Sequence, residues 1–320
     1  MRKVYGIGEA LLDIIFKDDH PIGAVAGGST LNAIVSLGRM QHNVYLVSET
    51  GNDRIGDTID HFLTTNGVSD DYLFRREGTR SPVALAFLNE KNDAEYEIFK
   101  DYSGQSLNEA MPPFRENDLI LFGSFFSLNP AVRPQLVRYL QAARDQGAIL
   151  IYDPNYRKHH SHKTNGLKKV IEENFSLAHV VRGSNEDFHN IFGLNCESDM
   201  AAKVREFCPN VIVTANSKGV YLNTNTLQKW YPTPAITPVS TIGAGDNFNA
   251  GLAHGILTCG VTLNELDQMN EAKWRNILAS GIAFATNVCQ SLDNYVSKDY
   301  LSKVKTDQQQ IEKLIQSGNI

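Results

Sequence analysis

Short apolar runs of four or five residues alternate with helix-period segments along most of this chain, and few architectures accommodate that alternation. A run apolar at every position buries both faces of a strand, as a parallel sheet covered by helices requires. Residues 4–8 read as a first strand, followed by a helix over Ser29–Arg39 with Leu31, Ile34, Val35 and Leu37 apolar. Further strands are expected at 44–47, 119–123, 148–152, 178–181 and 211–214. Helices are expected at 55–65, closed by Asn66-Gly67, and at 133–146, capped by Gly147. Together these are βαβ units and an α/β fold with a mostly parallel sheet.

Two segments break the rhythm. Residues 14–25 look like a short insertion containing Pro21 and Gly23, and 82–100 alternate around a turn at 89–93 as a hairpin does. A hairpin inserted into a parallel α/β domain is a candidate lid or dimer clasp, or an ordinary surface hairpin. Residues 298–320 read as an amphipathic surface helix. The 320 residues suit one large domain or two modest ones, and no linker or internal repeat divides them.

Composition narrows the function. An apolar fraction of 42% with 21% charged residues is that of an ordinary globular enzyme. The net charge of −6 gives nucleic-acid binding no support. No apolar run reaches membrane-spanning length, and residues 1–8 enter a strand pattern without a secretory signal, so a cytoplasmic location is expected. Cys196, Cys208, Cys259 and Cys289 are scattered, without metal spacing, and are expected to be reduced, buried small hydrophobes.

The sharpest chemical signal is Thr241-Ile242-Gly243-Ala244-Gly245-Asp246, with a helix expected over 247–257. Two glycines let backbone N–H groups turn toward a ligand, and a helix N-terminus adds unpaired donors, which makes an anion site. A carboxylate beside that site repels an anion but can take a proton from a hydroxyl that attacks it. Phosphoryl transfer onto a hydroxyl unites these parts. Three further stretches carry candidates. Gly27-Gly28 precede a helix whose Asn32 can both donate to and accept from hydroxyls, although glycine pairs are often only turns. Asp13 lies just after a buried strand, where it is either a hydroxyl acceptor or a capping residue. Asp153-Pro154-Asn155-Tyr156-Arg157 ends another strand, and Arg157 could reach sugar or phosphate oxygens or simply local carbonyls. Gly6-Ile7-Gly8 begins a dinucleotide pattern that Leu11 breaks, which weakens a nicotinamide-dependent dehydrogenase reading.

In this order, the motifs resemble the PfkB (ribokinase-like) family of carbohydrate and nucleoside kinases, from about residue 4 to about 296. The resemblance implies a single three-layer α/β/α domain over 1–320 with a small β-sheet lid from 14–25 and 82–100. It implies ATP and Mg²⁺ as cofactors, and a homodimer through the lid. Asp246 would be the general base; Gly243, Ala244 and Gly245 would supply the γ-phosphate hole, with Arg157 near sugar or phosphate. Asp13, Gly27, Gly28 and Asn32 would hold the sugar. Ser184, Thr214, Ser217 and Gly219 would lie on the nucleotide side, and Glu186 or Asp187 would order Mg²⁺ through water.

Some positions depart from the family pattern. Ser240 replaces an Asp that often belongs to a monovalent-cation site, so K⁺ activation does not carry over with the rest. Asn216 stands where glycine is usual, a place Asn tolerates in the left-handed region. Cys289-Gln290-Ser291 replace a usual Gly-Ala on the adenine side. The resemblance is strongest to fructokinases and 2-keto-3-deoxygluconate kinases. A nucleoside would want an aromatic sandwich, for which Phe16, Phe87 and Phe99 are the candidates. A sugar phosphate would want cations at the lid, where Arg80 and Lys100 are expected to be solvated. A kinase fold kept as a sugar-binding scaffold is the non-enzymatic alternative.

Overall fold

Successive residues of each central strand feed two different cores, and this alternation sets the layers. In strand β1 (Lys3–Ile7), Val4 packs into one core, while Tyr5 and Ile7 pack into the other. The computed structural model describes residues 1–89, 94–100, 107, 110–156 and 164–317.

The chain continues through β2 (Leu11–Lys17), β3 (His20–Gly27), α1 (Ser29–Arg39), β4 (Asn43–Gly51), α2 (Arg54–Thr65), β5 (Val68–Ser69) and β6 (Leu73–Arg76). Next come β7 (Val83–Leu88), β8 (Ala94–Phe99), β9 (Leu119–Gly123), α3 (Arg133–Asp145), β10 (Ile149–Asp153), α4 (Thr164–Leu177) and β11 (Val180–Ser184). The remainder is α5 (Asn185–Phe192), α6 (Glu197–Arg205), β12 (Asn210–Thr214), β13 (Val220–Asn223), β14 (Gln228–Tyr231), α7 (Ala244–Thr258), α8 (Leu263–Leu266), α9 (Glu271–Val288) and α10 (Val304–Ser317).

Among the described residues the large sheet runs β14-β13-β12-β11-β10-β9-β1-β4-β5, with β6 also on β4. The pairs from β12 across to β5 are parallel, and β13 and β14 close one edge as antiparallel strands. One core is filled by α1, α2, α7, α9 and α10, for example Leu31, Leu63, Leu252, Phe284 and Ile311. The opposite core is filled by α3 to α6, for example Leu140, Phe175, Phe188 and Val204. The result is a three-layer α/β/α arrangement with a mostly parallel centre.

A second, smaller sheet has the order β3-β2-β7-β8. Strands β2 and β3 are antiparallel, β2 and β7 parallel, and β7 and β8 antiparallel. Residues 14–25 are therefore more than an insertion: they belong to a hairpin that turns at Asp18 and Asp19, both at positive φ. The outer strand went unread because 20–24 are exposed and include Pro21, so no apolar pattern marks them. Of the cysteines only Cys208 is buried; Cys259 and Cys289 are half-buried and Cys196 is exposed, contrary to the expectation that all four are interior. Cys196 precedes α6 on the surface, where its Sγ lies 3.0 Å from the Ser198 hydroxyl. No helix among the described residues is long and apolar enough to cross a membrane.

Candidate active site

Strand order reverses between β1 and β9: the chain first adds β4 on one side of β1, then β9, β10, β11 and β12 on the other. Open α/β sheets place ligands at the carboxyl ends of strands beside such a switch. Asp153 and Asp246 meet there, beside Gly123 at the end of β9.

Gly243 caps α7 in the left-handed region (φ 75°, ψ −4°), which glycine adopts without a Cβ penalty. The helix starts at Ala244, earlier than the sequence suggested, so Asp246 lies in its first turn. Low helix propensity of the glycines argued for a later start. It is overridden because the backbone N–H and the side-chain amide of Asn247 both donate to the Gly243 carbonyl, at 2.9 and 2.8 Å. First-turn N–H groups have no carbonyl partner within their helix, which supplies anion donors. Of the three residues expected to form the hole, Ala244 donates its N–H to the Thr241 carbonyl over a long 3.3 Å.

Asp246 is tied to the opposite wall: the Asn32 side-chain amide, on α1, donates to its carboxylate at 2.8 Å. Helix α1 begins after Gly28, which takes φ 127° and lies where an added Cβ would sit 2.3 Å from the Glu9 carbonyl oxygen. Asp13 was expected in the loop after β1. It lies inside β2 instead, opposite Val25, with its buried side chain turned toward the site. A further strand forms there because Asp13 pairs with Val25 of β3 and Ala84 of β7, with its carboxylate buried. Its carboxylate fills the space beside Gly27, where a Cβ would sit 2.0 Å from Oδ2. Burial pushes the Asp13 carboxyl up to about 7, with the charges of Asp246 and Glu9 adding to the effect.

A cavity of about 20 Å³, large enough for one water-sized group, is lined by Ser29, Thr30, Asp153, Asp246 and Asn249 among others. Asn32 Oδ1 and Asn249 Oδ1 are buried acceptors without a hydrogen-bond partner. The Asp153 carboxylate accepts from the Asn249 amide at 2.6 Å and from Arg182 Nη1 at 2.8 Å. Arg157 lies outside the described residues.

The nucleotide-side candidates are less uniform. Ser184 caps α5 in a reciprocal box with Asp187: Asp187 N–H donates to the Ser184 hydroxyl, and Ser184 donates its own N–H and O–H to Asp187. Asp187 is buried while Glu186 is exposed. Burial and the neighbouring Asp153 raise the Asp187 carboxyl above its ordinary value. Thr214 ends β12, and its hydroxyl accepts from Arg182 Nη2 at 2.5 Å. Ser217 is exposed on a short 3-10 turn over Asn216–Lys218, and Asn216 takes the left-handed conformation (φ 49°). Gly219 packs its bare Cα against the Tyr231 carbonyl.

Three residues near the crevice were not singled out from sequence: Glu9, Arg182 and Asn249. Arg182 sits inside the apolar run of β11, and a charge in such a run signals a buried partner. Lys100 is not solvated as expected; it forms a buried ion pair with Glu9. Arg80 is exposed. Phe16 and Phe87 stack on each other with centroids 5.0 Å apart, and Phe99 is exposed.

Comparison with known proteins identifies the family and the fold. The model of the pfkB family carbohydrate kinases matches residues 1–298. The chain is 26% identical to a fructokinase of Escherichia coli over 82% of this chain and 87% of that one. It is 24% identical to an aminoimidazole riboside kinase of Salmonella typhimurium over 79% and 80%. The fructokinase of Vibrio cholerae, solved with fructose, ADP and calcium ion, superposes with a TM-score of 0.83 at 21% identity, covering 95% of this chain and 99% of that one. The aminoimidazole riboside kinase of Salmonella enterica, solved with its riboside and an ATP analogue, gives 0.83 at 20% identity, covering 96% and 100%. Such identities establish a shared ribokinase-like fold, and the family match adds the class of chemistry. The chain belongs to the pfkB family of carbohydrate kinases and is an ATP-dependent sugar kinase.

Proposed function

We propose that this kinase phosphorylates a hydroxyl of a small neutral sugar, fructose in first place, with Asp246 as the general base. The observation that carries the reading is the meeting at Asp246 of two helices: Asn32 holds its carboxylate from α1, while α7 brings its first-turn N–H groups to the same point. A sugar hydroxyl is a weak acid, so its proton leaves late, as the new P–O bond forms. General-base help is worth about 10²–10⁴ in rate, and positioned donors at the phosphoryl group contribute about 10²–10³ each. Asp13 accepts from sugar hydroxyls beside Gly27 and Gly28, and the unpartnered Asn32 and Asn249 oxygens suit further hydroxyl donors.

The site's charge favours a neutral acceptor. Asp13 and Asp246 place carboxylates around it, and the Glu9–Lys100 ion pair adds no net charge. A sugar acid or sugar phosphate would meet that charge unfavourably. Phe16 and Phe87 satisfy each other, which supports a sugar over a nucleoside.

Mg²⁺ fits the residues present. Asp187, Asp153 and the Ser184 hydroxyl are hard oxygen donors, and no cluster of three or more His, Cys, Asp or Glu ligands occurs among the described residues. That pattern suits an ion that keeps its waters and binds mainly through phosphates. Asp187, rather than exposed Glu186, is the residue that would order those waters. When bound, the ion neutralises charge on the transferring phosphates. Thr214, Ser217 and Gly219 would line the nucleotide side. Ser240 in place of an Asp argues against strong K⁺ activation.

The small sheet serves as the lid, excluding water that would otherwise compete as acceptor. Its exposed Ile22, Ile98 and Phe99 favour a homodimer through that sheet, and sedimentation equilibrium showing only monomer at micromolar concentration rejects this part. The whole protein is expected in the cytoplasm.

The primary test is ADP release with fructose, ribose, 2-keto-3-deoxygluconate and adenosine. Fructose should be turned over fastest, and Asp246→Asn should lower kcat by about 10²–10⁴ with ATP binding intact. Turnover by that variant within a few-fold of wild type removes Asp246 as the base. A wild type without turnover on any acceptor, yet binding sugar, supports the scaffold alternative.

A further inference from the structure

Arg182 is a buried cation with no assigned part in the reaction, although it lies directly against the proposed phosphate hole. Only 6% of the residue is exposed. It comes from β11, whose neighbours Val180 and Val181 are interior, so its guanidinium is held inside the protein, through Nη1 and Nη2 but with Nε unpartnered. Nη1 donates to Asp153 on β10 at 2.8 Å, and Nη2 donates to Thr214 on β12 at 2.5 Å. The guanidinium carbon stands 5.4 Å from the centre of the Phe248 ring, on α7. At Gly245, in the first turn of α7, an added Cβ would sit 2.7 Å from Nη1. One side chain thus touches the ends of three adjacent strands and the helix start that carries the anion donors.

We infer that Arg182 is a positioning residue for phosphoryl transfer: it holds the Gly245 backbone, the Asp153 carboxylate and the Thr214 hydroxyl in one fixed arrangement beneath the γ-phosphate. The inference rests on the kinase reading above.

A purely structural role explains the contacts less well. A buried ion pair replaced by apolar residues of similar size often leaves stability unchanged or raised. The planar fork matters because its two N–H directions lock Asp153 and Thr214 at once, which a point-charge ammonium cannot do. Thr214 accepts from Nη2 and so keeps its own O–H to donate. Its protein acceptor, the Gly183 carbonyl at 3.5 Å, is at the limit of a hydrogen bond, which leaves the proton for a nucleotide phosphate oxygen. Bare Gly245 lets the guanidinium lie against α7, and its positive charge reinforces the partial charge of the helix start. The Asp153 carboxylate also receives the Asn249 amide from α7, so the network grips that helix from two sides.

The test uses Arg182→Met, similar in length but uncharged, and Arg182→Lys, which keeps the charge without the fork. Each is assayed for kcat, sugar KM, ATP KM and melting temperature. For Arg182→Met, kcat should fall about 10- to 100-fold and ATP KM should rise about 3- to 10-fold, with sugar KM within about twofold of wild type. Arg182→Lys should recover part of kcat, remaining about 3- to 10-fold below wild type. If Arg182→Met does not fold, Arg182→Lys decides alone. Wild-type kcat and ATP KM in either folded variant, whatever its melting temperature, overturn the inference, as does a loss that raises both KM values equally. A wild-type protein inactive on every sugar overturns the kinase reading, and this inference with it.

Discussion

Asp13, on a strand of the small sheet, feels the charge of Asp246, on a helix of the large sheet's layer, and that charge helps raise the Asp13 carboxyl. Burial is the larger cause, and together with Asp246 and Glu9 it moves that group to about 7.

The first prediction follows from this shift. Ionised Asp13 is the better acceptor of sugar hydroxyls, so sugar KM should rise as pH falls below about 7, approaching tenfold per unit, while ATP KM stays nearly flat. The stability consequence has the opposite sense. A carboxyl whose folded pKa is raised contributes fully below its unfolded value, and that contribution is lost as pH climbs through about 7. Asp13→Asn should therefore be more stable than wild type at pH 8, by about 2–4 kcal/mol, and melt higher, while binding sugar poorly. Steady-state kinetics from pH 6 to 8 and thermal melts at pH 8 check both halves.

A second prediction concerns Gly27. A methyl there would collide with Asp13 Oδ2, so Gly27→Ala should displace the carboxylate. Sugar KM should rise at least tenfold with ATP KM within about twofold, since the loss of a charged hydrogen bond costs about 1.5–3 kcal/mol. An unchanged sugar KM means that Asp13 does not hold the sugar.

The third prediction is acid sensitivity away from the site. His42 Nε2 and His254 Nδ1 lie 2.8 Å apart, a spacing that requires one ring nitrogen to accept. Burial lowers His42, and burial followed by His42 lowers His254 to about 4. Burial followed by Arg144 also brings His179 to about 4. The unfolded chain binds these protons near pH 6.5, so each contribution is present above that pH and lost as pH falls, toward about 4 for His254 and His179. His254 alone should account for about 2–3 kcal/mol. Asp13 titrates in the opposite sense over part of this window, so wild type and His254→Gln are best compared in parallel. Melts at pH 7.5 and 5 should show the variant losing less than wild type.

The fourth prediction tests the metal assignment. Asp187→Asn keeps the size of the helix cap but loses the charge beside Asp153. The Mg²⁺ concentration for half-maximal activity should rise about 10- to 100-fold, and Glu186→Gln should leave it unchanged. The reverse pattern moves the role to Glu186.

The parts of this protein legible in its sequence are those in which local chemistry and tertiary position agree. Helix α1 runs over Ser29–Arg39 as its apolar periodicity indicates, and β9 over Leu119–Gly123 matches its apolar run residue for residue. Elsewhere tertiary packing overrode the local signal. Strand β11 continues through Arg182 to Ser184, past a charge that reads as a strand end, because Asp153 and Thr214 await that guanidinium. Strand β2 continues through Asp13 because it is paired on both sides, with Val25 of β3 and Ala84 of β7. At the candidate site, the glycines and Asp246 announce themselves within six residues, whereas Asn249 gains meaning only from its bond to Asp153, 96 positions away. A single sequence carries no such distances.

The Asn32–Asp246 bond spans 214 positions. With Asp246 as the proposed base, neither half of the polypeptide assembles a working pocket by itself, and a nascent chain should not turn over sugar until its last third has emerged and docked. Recovered turnover during refolding should trail every spectroscopic sign of secondary structure, which makes catalysis the strictest gauge of a completed molecule.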